Sequence, residues 1–338
     1  MTETERRPGD PELPVAAPGA DSATLQPITA AAVALADLPD GIDLVHQHGL
    51  ELKARSQWGY ARRRFVRHRL AMASLIVLVI ILGAGVFADA VAPYAYDAQD
   101  FEHSGIPPTL EGHHFFGTDV LGRDYFSRVV FGIRTSEGVA FLVALVSTLI
   151  GTFIGAVSGY YSGWIDNLLM RFTDLILTLP FLAVLLTAAA FAGNGSPTRV
   201  ALILALLFWT QLARIVRGSF LSLREKEFVE AAKAAGSGDV RIMFRHMLPN
   251  AIGPIVVNAT LIVGTAILVE AALSFLGFGV QPPTPALGKL INDGQNVSSS
   301  MWWLVLCPGL TIVLIVLCIN FIGDGLRDAL DPTQRRRA

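Results

Sequence analysis

Apolar residues in this chain come in long blocks, not in alternation. Six blocks, at 70–91, 137–161, 172–192, 199–216, 251–275 and 302–323, run with few or no charged residues. A helix needs about 20 such residues to cross the hydrocarbon core of a bilayer. The pattern predicts six membrane-spanning helices and an all-α integral membrane fold. Too many runs reach spanning length to suit a large soluble core.

The polar segments between the blocks set a direction. With the N-terminus in the cytoplasm, 21 of the 26 Lys and Arg fall on inner segments. That asymmetry predicts both termini inside. The basic block 62–69 (RRRFVRHR) sits just before the first span as an anchor or a lipid-binding surface. Two long outer segments result, 92–136 and 276–301, both mixing Gly, Pro and aromatics in the manner of structured loops. One long inner segment, 217–250, carries most of the remaining charge.

Composition agrees with this reading. The chain is 52% hydrophobic and 16% charged, against about a quarter charged in soluble domains. A net charge of −2 points to neither nucleic acid nor an acidic substrate. Residues 1–55 are acidic and rich in Pro and Ala, a composition expected to stay disordered as a cytoplasmic tail. No cleavable leader is evident there, so the first span is expected to target the chain to the membrane. Residues 333–338 form a short basic tail. Cys307 and Cys318 are eleven positions apart, about 16 Å along one helix, too far for a disulfide.

The inner segment reads as a helical hairpin. Ser222–Ala235 suits a helix with Phe228, Ala231, Ala232 and Ala235 on one narrow apolar face. Gly236 suits the position after a helix end, where positive φ is needed. Asp239 can cap a second helix, and Pro249 is expected to end it. On physics alone, a docking element and a solvated connector fit equally well.

The stretch EAAKAAGSGDVRIMFRHMLP resembles the EAA loop of ABC-importer permeases. Glu230-Ala231-Ala232, Gly236 and Leu248-Pro249 match that pattern at full spacing. SQWGYARRRFVRHRLAMASLIVLVIILGAGVFADAVAPY (56–94), HHFFGTDVLGRDYFSRVVFGIRTS (113–136) and EAALSFLGFGVQPPTPALGKLI (270–291) are similar to the C-type permease of the dipeptide, oligopeptide and nickel branch. The likeness covers about 56–332; Ala286-Leu287-Gly288 departs from the Ser-Trp-Gly usual there.

The resemblance implies a six-helix type I ABC importer permease in the plasma membrane. It divides the chain into an N-terminal permease segment with the first span (56–100), an outer loop (101–136) and the permease domain (137–332) with its EAA loop at 217–250. It implies ATPase coupling through Glu227, Phe228, Glu230, Ala231, Ala232, Gly236, Leu248 and Pro249. It also implies an outer-loop motif of Gly117, Thr118, Asp119, Gly122, Arg123 and Asp124. The expected function is peptide import by alternating access. The same architecture importing nickel, glutathione or another small solute is the alternative, and a secondary transporter is a remote one. Expected partners are a second, B-type permease, one or two ABC ATPase subunits or one fused ATPase, an extracytoplasmic binding protein, the peptide and the bilayer, with no nucleic acid. ATP and Mg would be bound by the ATPase partners.

A few residues stand apart from this frame. Gly151, Gly155 and Gly159, with Ser147 one turn earlier, form a small-residue stripe that permits close helix approach. Glu270 lies inside the fifth block, where a carboxylate is expensive. It is expected either to act in the pathway or in gating, or to pair with Arg123, Arg128 or Arg134. Asp174 is expected to pair with Arg171, one turn before it, and Pro180 is expected to kink the third span. His103, His113 and His114 share a loop without the carboxylates or cysteines of a metal site. No P-loop, serine elbow or zincin pattern occurs, so no catalytic residue, metal or cofactor is assigned to this chain.

Overall fold

The computed structural model describes residues 57–330 except 192 and 194. The acidic tail (1–55) and the basic tail (333–338) lie outside the described residues.

Twelve helical segments carry the architecture: α1 Gln57–Arg67, α2 Arg69–Val86, α3 Ala88–Val91, α4 Tyr125–Tyr161, α5 Gly163–Thr178, α6 Phe181–Phe191, α7 Pro197–Arg224, α8 Glu227–Ala234, α9 Asp239–Arg241, α10 Leu248–Phe275, α11 Leu287–Gly294 and α12 Trp303–Leu330. Among the described residues there is no strand beyond one bridge between Thr118 and Asp124. Five helices are long and apolar enough to cross a membrane, and α5 with α6 makes a sixth span if that bent pair counts as one.

Three expectations change. The third span is not one kinked helix: α5 and α6 meet at 87°. Pro180 removes a backbone donor, and Leu179 before it adopts extended φ/ψ, as residues before proline do. The second span starts twelve residues early. The outer loop ends at Asp124, which caps α4 by accepting the Ser127 N–H at 2.7 Å, so 125–136 is helix and not loop. Pro249 does not end the hairpin's second helix. Asp239–Phe275 runs as one span of 37 residues, because a π-helical segment, Ile242–Met247, precedes the proline. The Leu248 N–H reaches back to Met243 O, and Pro249 falls in the first turn of α10, where a missing N–H costs little.

The packing follows the small residues. Gly151, Gly155 and Gly159 lie against α7, where added methyl groups would meet Trp209 O, the Ala213 carbonyl and Phe220 Cβ. Ser147 Oγ donates to Ala205 O on the same helix at 3.2 Å. One buried cluster joins α4, α7, α10, α11 and α12 through Tyr125, Val129, Leu204, Ile267, Leu290 and Leu304. A second, nearer the basic end, gathers Tyr160, Phe220, Val229, Ile242 and Met247.

Candidate functional site

The hairpin between α7 and α10 is built by local rules. Helix α7 stops at Arg224, because Lys226 is extended. The expected single helix from Ser222 to Ala235 is therefore broken at Glu225-Lys226. α8 then closes on a Schellman turn: Gly236, at φ +75°, donates to Lys233 O at 2.9 Å, and Ser237 donates to Ala232 O at 3.0 Å. Gly236 is the one position in the turn where an L side chain would be strained.

Tyr160, at the end of α4, fixes the hairpin. Its hydroxyl donates to Asp239 at 2.7 Å, its carbonyl accepts from Arg224 at 3.2 Å, and Lys233 Nζ sits 5.8 Å from its ring centre. Asp239 thus binds a tyrosine rather than capping its helix.

The buried face of α8 is Val229 with Ala232, packed on Ile242, Met243 and Met247. Of the expected apolar face, only Ala232 is buried. Phe228, Ala231 and Ala235 are exposed, as are Glu227, Glu230, Val240 and Phe244. Leu248 is half-buried under the same cluster and Pro249 is exposed. The solvent side therefore offers Phe228, Val240 and Phe244 among charges, with alanines between them. Val240 and Phe244 lie one turn apart, an i,i+4 pair legible in the sequence but not singled out there.

At the opposite end of the bundle, the outer-loop motif is a knot. Asp119 accepts from the backbone of Leu121 (2.9 Å) and Arg123 (3.0 Å) and from the side chains of Arg123 (2.7 Å) and Arg128 (2.6 Å). Asp124 also accepts from His114 Nδ1 at 2.9 Å, and His114 stacks on Tyr94 with ring centres 5.2 Å apart. His103 engages Asp100 at 2.7 Å. The Asp100 carboxyl is held below its ordinary range, chiefly by that hydrogen bond. Thr118 Oγ1 donates to His103 O at 2.6 Å, while Thr118 O accepts from Trp303 Nε1 at 3.1 Å. Gly117 (φ +73°) has no room for a side chain: an added methyl would lie 2.5 Å from Ile106 O. Gly122 donates to Asp119 O at 3.0 Å. Gly117, Asp119 and Asp124 thus tie the outer segment to the start of α4 and Thr118 ties it to the start of α12, while Gly122 and Arg123 brace Asp119 within the loop.

Glu270 is fully buried near the knot end of α10. Ser136 Oγ bonds it at 2.8 Å and Ser274 Oγ at 2.6 Å. The expected arginine partner is absent among the described residues. Arg123 and Arg128 hold Asp119, and Arg134 holds Asp89 at 2.9 Å. Ser274 Oγ also accepts the Val280 N–H at 3.1 Å, so the Glu270 cluster pins the loop after α10. Asp174 likewise departs from expectation. It pairs with Arg214 of α7 at 2.5 Å, not with Arg171.

With this geometry in place, likeness to known proteins is informative. The family described as "Binding-protein-dependent transport system inner membrane component" matches residues 151–336. The chain belongs to this family. The N-terminal TM domain of oligopeptide transport permease C matches residues 56–108. This family member is 45% identical to the oligopeptide transport system permease protein OppC of Escherichia coli (strain K12), over 85% of this chain and 94% of that protein. It is 42% identical to the dipeptide transport system permease protein DppC of Alkalihalophilus pseudofirmus, over 83% and 92%. A chain of the MetNI methionine ABC transporter in an inward-facing conformation is 20% identical, with a TM-score of 0.49 over 60% of this chain and 96% of that one. The chain is a multi-pass membrane permease of the C type, and its helical architecture is that of a type I importer.

Proposed function

We propose that this chain is one of two permease subunits of an ATP-driven importer for peptides, and that the hairpin at 225–250 is its joint to a separate ATPase. The observation that carries the reading is the surface of that hairpin. Its buried side is firmly attached to the bundle through Val229, Ala232 and Tyr160. Its free side presents Phe228, Val240 and Phe244 beside Glu227, Glu230 and Lys233. Small alanines between them let a partner groove come close. The similarity to permeases named for oligopeptides and dipeptides supports peptides over nickel, glutathione or another small solute as cargo.

In this reading both termini and the hairpin face the cytoplasm. A binding protein delivers peptide to the outer segments. ATP and Mg bind the ATPase subunits, whose closure moves the hairpins of the two permeases. The bundle then exchanges outward and inward access, driven by the different affinity of the ATPase for the two states. This chain supplies half of the pathway and no catalytic group.

The test is purification with the co-expressed neighbouring subunits, with ATPase activity measured for wild type, Gly236→Arg and Gly236→Asn. Asn tolerates the left-handed backbone that Gly236 adopts, so it serves as the folding control. Loss of ATPase association or coupling in the Arg variant alone is the expected result. A chain that purifies alone and transports unaided in liposomes would be a secondary transporter, and the reading would be wrong.

A further inference from the structure

Helix α5 crosses the half of α7 nearer the basic end and borders an open, shallow cavity of about 480 Å³ lined by Asp166, Asn167, Met170, Arg171, Asp174, Arg214 and Arg217. Both carboxylates are engaged. Asp166 takes two bonds from Arg217, at 2.5 and 2.6 Å, and accepts the Ser158 hydroxyl; Asp174 takes Arg214. The third arginine is left over. No described residue pairs with Arg171, which is exposed on α5. The cavity thus holds one more cation than anions and has guanidinium donors to spare.

Its surroundings are those of an amphiphile. Trp164, Leu168, Phe172 and Leu175 recur at helical spacing along α5, and all four are exposed, Trp164 at 74%. Leu168 and Leu175 stand three residues before and four after Arg171, so they flank it on the helix surface. Depth fits as well. α7 has 28 residues, about 42 Å of helix against a hydrocarbon core of about 30 Å. A centred α7 overhangs that core by about 6 Å at each end, so Arg217, about 10 Å from its basic end, lies about 4 Å inside the headgroup boundary, within reach of a long guanidinium side chain.

We propose that this cavity binds the phosphodiester of an anionic phospholipid, with Arg171 as the principal donor and Leu168 and Leu175 as the shelf for the start of the acyl chains. A planar guanidinium matches phosphate oxygens in pairs, and basic pockets between helices on the positively charged side suit such headgroups. A free phosphate would use the arginines but not the apolar shelf. The site is independent of cargo, so it stands or falls apart from the peptide reading.

The experiment is native mass spectrometry of the purified transporter complex, titrated with phosphatidylglycerol or phosphatidylcholine. Wild type is expected to retain phosphatidylglycerol in preference. Arg171→Gln is expected to weaken that retention about fivefold, the share of one basic residue at an anionic surface, and Arg171→Lys to keep most of it. Displacement by inorganic phosphate is expected to be poor. Equal retention of the two lipids by wild type overturns the proposal even if the Gln variant fails to assemble. So does equal phosphatidylglycerol retention in wild type and Arg171→Gln. A cross-link from position 171 to an acidic residue of the second permease, with no lipid retained, assigns the cavity to that subunit instead.

Discussion

The two ends of this molecule use charge in opposite ways. At the knot end, Asp119, Asp124, Arg128 and His114 are buried, and they pair with one another, Asp119 with Arg128 and Asp124 with His114. At the hairpin end, Glu227, Glu230 and Arg241 point outward, with exposed aromatics among them. One set of charges closes a structure, and the other is left open for something to close on. An element that transmits motion needs both: a braced body and a surface with unspent contacts.

The comparison can be broken most severely at Asp119. Asp119→Ala takes the 2.6 Å partner from the buried Arg128 guanidinium and leaves it only Asp293 at 3.8 Å, a loss approaching the roughly 3–5 kcal/mol of a buried pair deprived of one partner. The complex should melt far lower or fail to assemble, read by thermal unfolding in detergent. An unchanged melting temperature would mean that the knot braces nothing. Gly155→Leu should come next. The new side chain meets the Ala213 carbonyl and Val216 across the α4–α7 contact, and overpacking of this kind costs about 1–3 kcal/mol. A smaller effect is expected at Glu270→Gln, which keeps an oxygen for one serine and adds a donor. Melting should shift by about 1 kcal/mol or less, with transport retained. Transport lost in a normally assembled Gln variant would place Glu270 in gating instead of loop attachment. The smallest effect on stability belongs to the hairpin surface. Phe244→Ala should leave unfolding within about 0.5 kcal/mol. Yet it should weaken ATPase binding about fivefold or more, as an interface anchor does. If Phe244→Ala changes folding and not binding, the hairpin is closed in the same sense as the knot.

Much of this was legible from the pattern of residues. Block lengths gave the spans, and Gly236 with its neighbours gave the hairpin's turn, because both are local rules. What failed was tertiary. Phe228, Ala231, Ala232 and Ala235 form an apolar face by spacing, but the body that α8 packs against is Ile242, Met243 and Met247, and it selects Val229. Only the paired reading of both hairpin arms would have shown that. Asp174 found Arg214 forty residues on, although Arg171 was nearer in sequence. Ser274, one turn after Glu270, was visible as a partner; Ser136, on another helix, was not. Pro249 reads as a stop under α-helical rules, and no local signal announced the π-helical segment that admits it.

That π-helical segment makes a lever. From Asp239 to Phe275 the chain is a single rod of 37 residues, about 55 Å long, with the hairpin at its foot and Glu270 near its head. A tilt of about 5° about the foot would swing the head by about 5 Å, enough to pull Glu270 from Ser136 on α4, while Ser274, on the rod itself, travels with it. A rod broken at Pro249 would lose that advantage. Its far end would hear nothing of what happens at its base.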